Sequence, residues 1–373
     1  MIKLRIFLIV SLLAAVLCSG AYAQPEDLPS PPELNVSEGA RELEEALPEE
    51  ARELLGKLDL SDPQMGEAGL KALWQNLKER FLSVFKSALL SAVKLLIIVI
   101  LCSAADSTLD AGPAKDAVAL CGAVAISALA IGNVNAFIGM GMETLYMLSD
   151  FSHVLLPVMC TAAVSAGALT SAAAKYAATA LFMDVLLTLG VNVIMPMISF
   201  YLASIIAGAT LGKEMLSGLS RFLKWGCTTA LTLMMLGFTA YLGMSGLISG
   251  KADAMALKLT KTAIGTMLPV VGSVVSDAAE TVVAGAGLLR NTVGVFGFLA
   301  VLAICAIPFI SLGSHYLAFK GASALSEALT DKRLSGLIAG VGEAFGMLLA
   351  LVGAGGIMLF LSLISSMRMV GGV

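Results

Sequence analysis

Apolar residues run almost without interruption from residue 89 to residue 364, broken into stretches of bilayer-spanning length by short polar clusters. The stretches are 89–105, 117–139, 151–173, 177–210, 226–248, 263–289, 293–319 and 336–364. A lipid solvent leaves backbone polar groups no outside partner, so spans of this kind must be helices. The expected fold is therefore all-α, a polytopic bundle of about seven to nine membrane helices. The 177–210 stretch would be about 51 Å long as one helix, against roughly 30 Å of hydrocarbon. With Asn192, Met195 and Pro196 near its middle, a kinked, tilted helix and a re-entrant hairpin both fit it.

Before the spans the pattern changes. Leu70, Leu73, Trp74, Leu77, Phe81, Val84, Phe85 and Ala88 follow the i, i+3, i+4, i+7 spacing of one helix face. Lys71, Lys78, Arg80 and Lys86 lie largely off that face, so 67–88 reads as a basic amphipathic helix suited to a membrane interface, or as a packed helix of a small outer domain. Residues 24–66 are acidic and rich in Pro and Glu. Leu43, Leu47, Ala51, Leu54, Leu55 and Leu58 mark a short helical side there, Pro48 interrupts it or starts a second short helix, and Gly56, Asp62 and Pro63 suit its end. Such a segment needs a partner surface to be stable. Residues 1–23 have the parts of a signal peptide: Lys3 and Arg5, an apolar run from Ile6 to Leu17, and Ala21-Tyr22-Ala23 as cleavage site. Cleavage there would leave the mature amino terminus outside the cytoplasm. Residues 365–373 form a C-terminal tail.

Composition agrees with the pattern: 58% of residues are hydrophobic, 13% are charged, and the mean hydropathy is +0.91. The formal charge of −4 hides an asymmetry, because residues 24–70 hold thirteen acids and three bases. An acidic outer segment excludes nucleic-acid binding and stands clear of anionic lipid. With eight crossings, positively charged residues favour the cytoplasmic side only slightly, which points to one miscounted span.

Candidate chemistry lies in polar groups within the spans, which are costly in lipid. Asp277 and Glu280 are three residues apart, on one side of a helix, and Pro269 and Gly272 favour a break just before them. They could skim the interface, pair between subunits, or line and gate a conduit. Asp184, Asn192 and Pro196 are further conduit candidates, and Asn133 and Asn135 add amides that can bond neighbouring helices. Small residues at four-residue spacing, Gly208 with Gly212, Gly336 with Gly340 and Gly342 with Gly346, suit close helix packing, within the chain or between copies. Cys18, Cys102, Cys121, Cys160, Cys227 and Cys305 are scattered singly, and His153 and His315 are the two histidines, so no metal site is expected. No phosphate-loop, zinc-protease or serine-hydrolase motif is present. Neither catalysis nor a cofactor is expected.

The stretch Leu268 to Gly297, LPVVGSVVSDAAETVVAGAGLLRNTVGVFG, resembles the signature region of stage III sporulation protein AE of endospore-forming bacteria. The resemblance extends through Ile307-Pro308 to the Gly-rich end, Gly336 to Ile364, and covers most of residues 71–364. It implies a membrane component of the channel, or feeding tube, between mother cell and forespore, in the mother-cell-derived membrane around the engulfed forespore. It also implies partners: a secretion-type ATPase and ring-forming membrane proteins of the same operon, and a forespore membrane partner. Two other classes of function stay open, a non-conducting scaffold that docks those partners and an independent secondary transporter.

Overall fold

A computed structural model describes residues 36–56, 65–109, 112–165, 180, 183–185, 187–211, 215–244, 292–330 and 332–370; among them every regular element is helical and none is a strand. Helix α1 is Val36–Glu45, α2 Glu49–Leu55, α3 Met65–Ser107 and α4 Pro113–Ser165. A π-helical turn, Gly190–Ile194, leads into α5, Met195–Leu211, followed by α6, Met215–Met244, α7, Thr292–Glu327, and α8, Lys332–Val370. Among the described residues, five stretches are long and apolar enough to cross a membrane: Met65–Ser107, Pro113–Met159, Met183–Leu211, Val293–Glu327 and Lys332–Ile364. The expected all-α membrane-helix architecture is present.

The α7–α8 hairpin occupies the centre. A helix apolar on all sides must be covered on all sides, and α8 has 89% of its most apolar stretch buried. Glycines set the approach of the two helices. A Cβ on Gly342 would sit 3.3 Å from Phe319 Cβ and 3.6 Å from the backbone nitrogen of Lys320, and one on Gly356 would sit 2.9 Å from Cys305 Sγ. Gly297 meets Leu363 in the same way. The pairs 297/363, 305/356 and 319/342 describe one antiparallel register.

The same contacts fix the height of the outer helices. Gly122 lies against Leu334 and Gly355 against Leu145 and Leu148, so α4 runs parallel to α8. Gly340 meets Ile205, and Gly190 meets Leu351, so the span ending in α5 runs antiparallel to α8. Gly226 meets Met197 and Gly208 meets Leu216, which makes α6 antiparallel to α5 and places its end, Met244, at the level of Leu363 and Gly297. Helices α3 to α8 therefore alternate in direction. The short connections after α3, α5 and α7 lie at one end. At the other end lie α1 and α2, the starts of α3 and α7, and the ends of α4, α6 and α8.

This arrangement changes the expected span list. Stretches 117–139 and 151–173, expected as two crossings, enter one helix, α4, as far as its end at Ser165. The polar run that suggested a loop, Glu143 to Asp150, contains no proline, and Leu145, Leu148, Phe151 and Leu155 carry a buried stripe straight through it. At 53 residues α4 is about 80 Å long, far more than the roughly 30 Å hydrocarbon layer. The expected interfacial helix 67–88 and first span 89–105 are likewise one unbroken helix, α3. Only part of the amphipathic face is covered: Leu73 and Ala88 are buried, whereas Trp74 is 71% exposed. Stretch 226–248 falls largely in α6, and 263–289 lies outside the described residues.

The acidic segment is built into the bundle. Leu43, Leu47, Ala51, Leu54 and Leu55 are buried, with the acids Glu42, Glu44, Glu45, Glu49 and Glu50 outside. Pro48 precedes α2, and Gly56 ends it at φ +66°, a conformation that favours glycine. Arg52 Nη2 donates to the carbonyls of Glu44 and Leu47, closing the α1–α2 turn. Asn76 Nδ2 of α3 donates to Leu54 O at 2.8 Å, and Arg80 pairs with Glu53 at 2.9 Å.

Single-cysteine probes in a chain lacking its native cysteines would test the alternation. Glu50→Cys and Ala240→Cys are expected to react with an impermeant thiol reagent from one side of the membrane, and Thr108→Cys and Leu329→Cys from the other. Labelling of Ala240→Cys from the side of Leu329→Cys would refute the placement of α6.

Candidate functional site

Charges within apolar helices need partners of their own, and the search for them leads to α8. Glu343 interrupts an otherwise apolar run, with Gly340, Gly342 and Gly346 near it in sequence. One carboxylate oxygen accepts from Tyr201 Oη of α5 at 2.7 Å, and the other pairs with Lys224 Nζ of α6 at 2.7 Å. Tyr201 is 3% exposed, while the Glu343 side chain is 28% exposed and that of Lys224 44%. The cluster thus reaches from the interior to the surface. It joins three helices through one carboxylate.

A second polar tie lies near the short-connection end. Arg333, at the start of α8, donates through Nε to Ala209 O and through Nη2 to Thr210 O at 2.8 Å. These are carbonyls of the last turn of α5, which lack partners within their own helix. A cation there also complements the negative end of the helix dipole. At the opposite end of the same span, Asp184 Oδ1 lies 3.1 Å from His153 Nε2 of α4, both about half exposed.

Between these ties the span departs from α-geometry. Pro196 has no N–H, and in an α-helix its ring would clash with the carbonyl of Asn192. The turn Gly190–Ile194 adopts π-geometry instead, with Met195 N–H donating to Gly190 O. The proline therefore produces neither a hairpin nor a stop. Asn192 and Pro196 are both on the exposed side of the span.

The sequence candidates are thus dispersed. Asp184, Asn192 and Pro196 lie along one span, with Asp184 alone in an ion pair. Asp277, Glu280, Pro269 and Gly272 lie outside the described residues, as does Gly212. Gly340, Gly342 and Gly208 contact Ile205, Phe319 and Leu216 of this same chain; Gly346 is buried, and Gly336 is exposed with no neighbour where its Cβ would be. Among the described residues no group of three or more His, Cys, Asp or Glu side chains is arranged to hold a metal ion. His315 sits in an aromatic box of Phe137, Phe319 and Phe345, with Nδ1 donating to Ser311 O at 2.9 Å.

Sequence reasoning passed over Glu343, Lys224, Tyr201 and Arg333. The available signal was Glu343 itself, a carboxylate in an apolar span that requires a counter-charge. Glu343→Gln is expected to lower stability in detergent by about 1–2 kcal/mol, a discounted figure because the pair is partly solvated. The check is the melting temperature, and Lys224→Met combined with Glu343→Met should lose less than Glu343→Met alone, since no charge is then left unpaired.

Comparison with known proteins adds a relationship to this geometry. Residues 55–369 match the family described as stage III sporulation protein AE. The chain is 26% identical over 201 residues to the stage III sporulation protein AE of Bacillus subtilis (strain 168), covering 54% of this chain and 50% of that protein. The aligned part thus spans about half the length of that relative. No solved structure matches the chain.

Proposed function

Because this chain belongs to the stage III sporulation protein AE family, we propose that it is a membrane component of the channel apparatus joining mother cell and forespore, supporting late forespore development. What carries the reading is the family match across residues 55–369, which takes in the whole helical bundle from α3 onward. Among the described residues, five helices with the length and apolarity to cross a bilayer, most of them with apolar residues turned outward, suit a protein held in a membrane. In this reading the bundle is multi-pass, sits in the mother-cell-derived membrane around the forespore, and displays α1 and α2 on the extracytoplasmic side. It works with a secretion-type ATPase, ring-forming membrane proteins and a forespore membrane partner. It has no catalytic step of its own and requires no cofactor.

Whether the chain conducts or supports is a choice between two readings. A conduit would be lined or gated by Asp277 and Glu280, the paired acids of the signature stretch. A non-conducting scaffold is favoured by one observation: the centre of the described bundle is filled by α7 and α8, with Phe298, Phe319 and Phe345 almost fully buried. A water path through that centre would require removing close-packed side chains.

Asp277→Asn combined with Glu280→Gln distinguishes them in an endospore-forming host. The conduit reading expects heat-resistant spores to fall at least about tenfold while the protein accumulates and assembles normally. Normal spore counts would favour the scaffold, and loss of the protein itself would assign the acids to folding.

A further inference from the structure

We propose that the α5–α6 hairpin is a moving element of the bundle, pivoting at the π-helical turn and latched to α8 through Glu343. The inference starts from where the chain places its long-range polar ties. Among the described residues of the long helices, Tyr201–Glu343, Lys224–Glu343, Arg333–Ala209/Thr210 and His153–Asp184 fasten this hairpin or its preceding span to α4 or α8, while Lys115–Asp106 and Cys102–Val118 join α3 to α4 beside their turn. The central α7–α8 hairpin is held differently. Its helices meet through glycines and apolar side chains along a single register, with Ser323 Oγ donating to Ser335 O near the turn.

Those two kinds of contact have different mechanical consequences. Close-packed apolar interfaces resist displacement because any gap forfeits many small contacts at once. Ion pairs and hydrogen bonds between side chains are few and directional, and a partly exposed pair can exchange its partner for water. Glu343 and Lys224 are exposed enough for that exchange. The seam between α5 and α8 also packs Ile205 onto Gly340, but it is smaller than the α7–α8 seam, so opening costs less here than there.

The pivot is equally local. Gly190 is pinned where Leu351 of α8 and Leu145 of α4 meet it, with Leu351 Cδ1 3.2 Å from the position of a Cβ. Just beyond, the π-turn and Pro196 interrupt the α-helical hydrogen-bond ladder. Everything past that point is α5 and α6, which contact each other closely at Gly208–Leu216 and Gly226–Met197 and so can move together. Rotation at the turn would lift Ile205 from Gly340 and expose Glu343. Glu343 is then a positioning residue, setting the closed state through Tyr201 and Lys224.

A disulfide lock tests the motion in the complete chain. Native cysteines are replaced by Ala, and Ile205→Cys with Gly340→Cys places two thiols across the seam. The reduced form is expected to restore sporulation to a deletion strain. Oxidation should lower heat-resistant spores at least about tenfold, with recovery on reduction, because the hairpin can no longer move. A control lock across the α7–α8 seam, native Cys305 with Gly356→Cys, should change the count by less than about twofold. Unchanged sporulation with the first lock closed would overturn the motion. The proposal rests on the family role for its readout, yet the two fail differently: complementation by the reduced form keeps the family role when the lock is harmless. Charge exchange tests the latch independently of cysteines. Lys224→Glu and Glu343→Lys should each impair sporulation and together restore it, whereas harmless single variants, or a double variant that fails to recover, would remove Glu343 from the device.

Discussion

A polar group carried into apolar surroundings must find its partner inside the protein, and this requirement organises the bundle. Many serine and threonine hydroxyls meet it locally. Ser127, Thr144, Ser204, Thr228, Thr232 and Thr239 donate back to carbonyls four residues earlier in their own helix. The charged side chains of α8 reach further. Glu343 reaches α5 and α6, and Arg333 reaches the open carbonyls at the end of α5. Among the described residues such long-range polar contacts are few, and their positions carry information.

Apolar packing supplies the remainder of the architecture. Without a hydrophobic force between helices in lipid, association depends on how closely surfaces can fit. Gly340, Gly342 and Gly356 bring side chains or backbone of α5 and α7 onto α8. Leu82, Leu89, Ile97 and Leu101 of α3 are left exposed, which costs nothing where the surrounding solvent is lipid, as apolar as they are. At the α1–α2 end the logic is that of a water-soluble protein. Leucines turn inward, acids turn outward, and helix ends are closed by Arg52, Asn76 and Gly56.

Legibility in the sequence followed these two regimes. Helical class, the break at Pro48, the end at Gly56 and the leucine side of the acidic segment were all readable, because each depends on neighbours along the chain. Helix boundaries were not. Stretches 117–139 and 151–173 read as two spans, but the polar Glu143 and Asp150 between them are on the exposed side of a helix and end nothing while the buried side continues through Leu145 and Leu148. Pro196 suited a kink or a hairpin; no hairpin forms there, and the chain accommodates the proline by adding one residue to the preceding turn. The Glu343 cluster was the least readable part. Its members come from residues 201, 224 and 343, and only a fixed register between helices brings them together.

That register also sets where the Glu343 cluster stands. Met244 and Thr292 lie at the end of the bundle that carries α1 and α2, while Glu343 lies within the helices, nearer the short-connection end. The span from Asp184 to Thr210 joins the two levels, since it is tied to α4 at one end and to α8 at the other. A displacement at either tie is therefore carried along a single helical element rather than through many separate contacts.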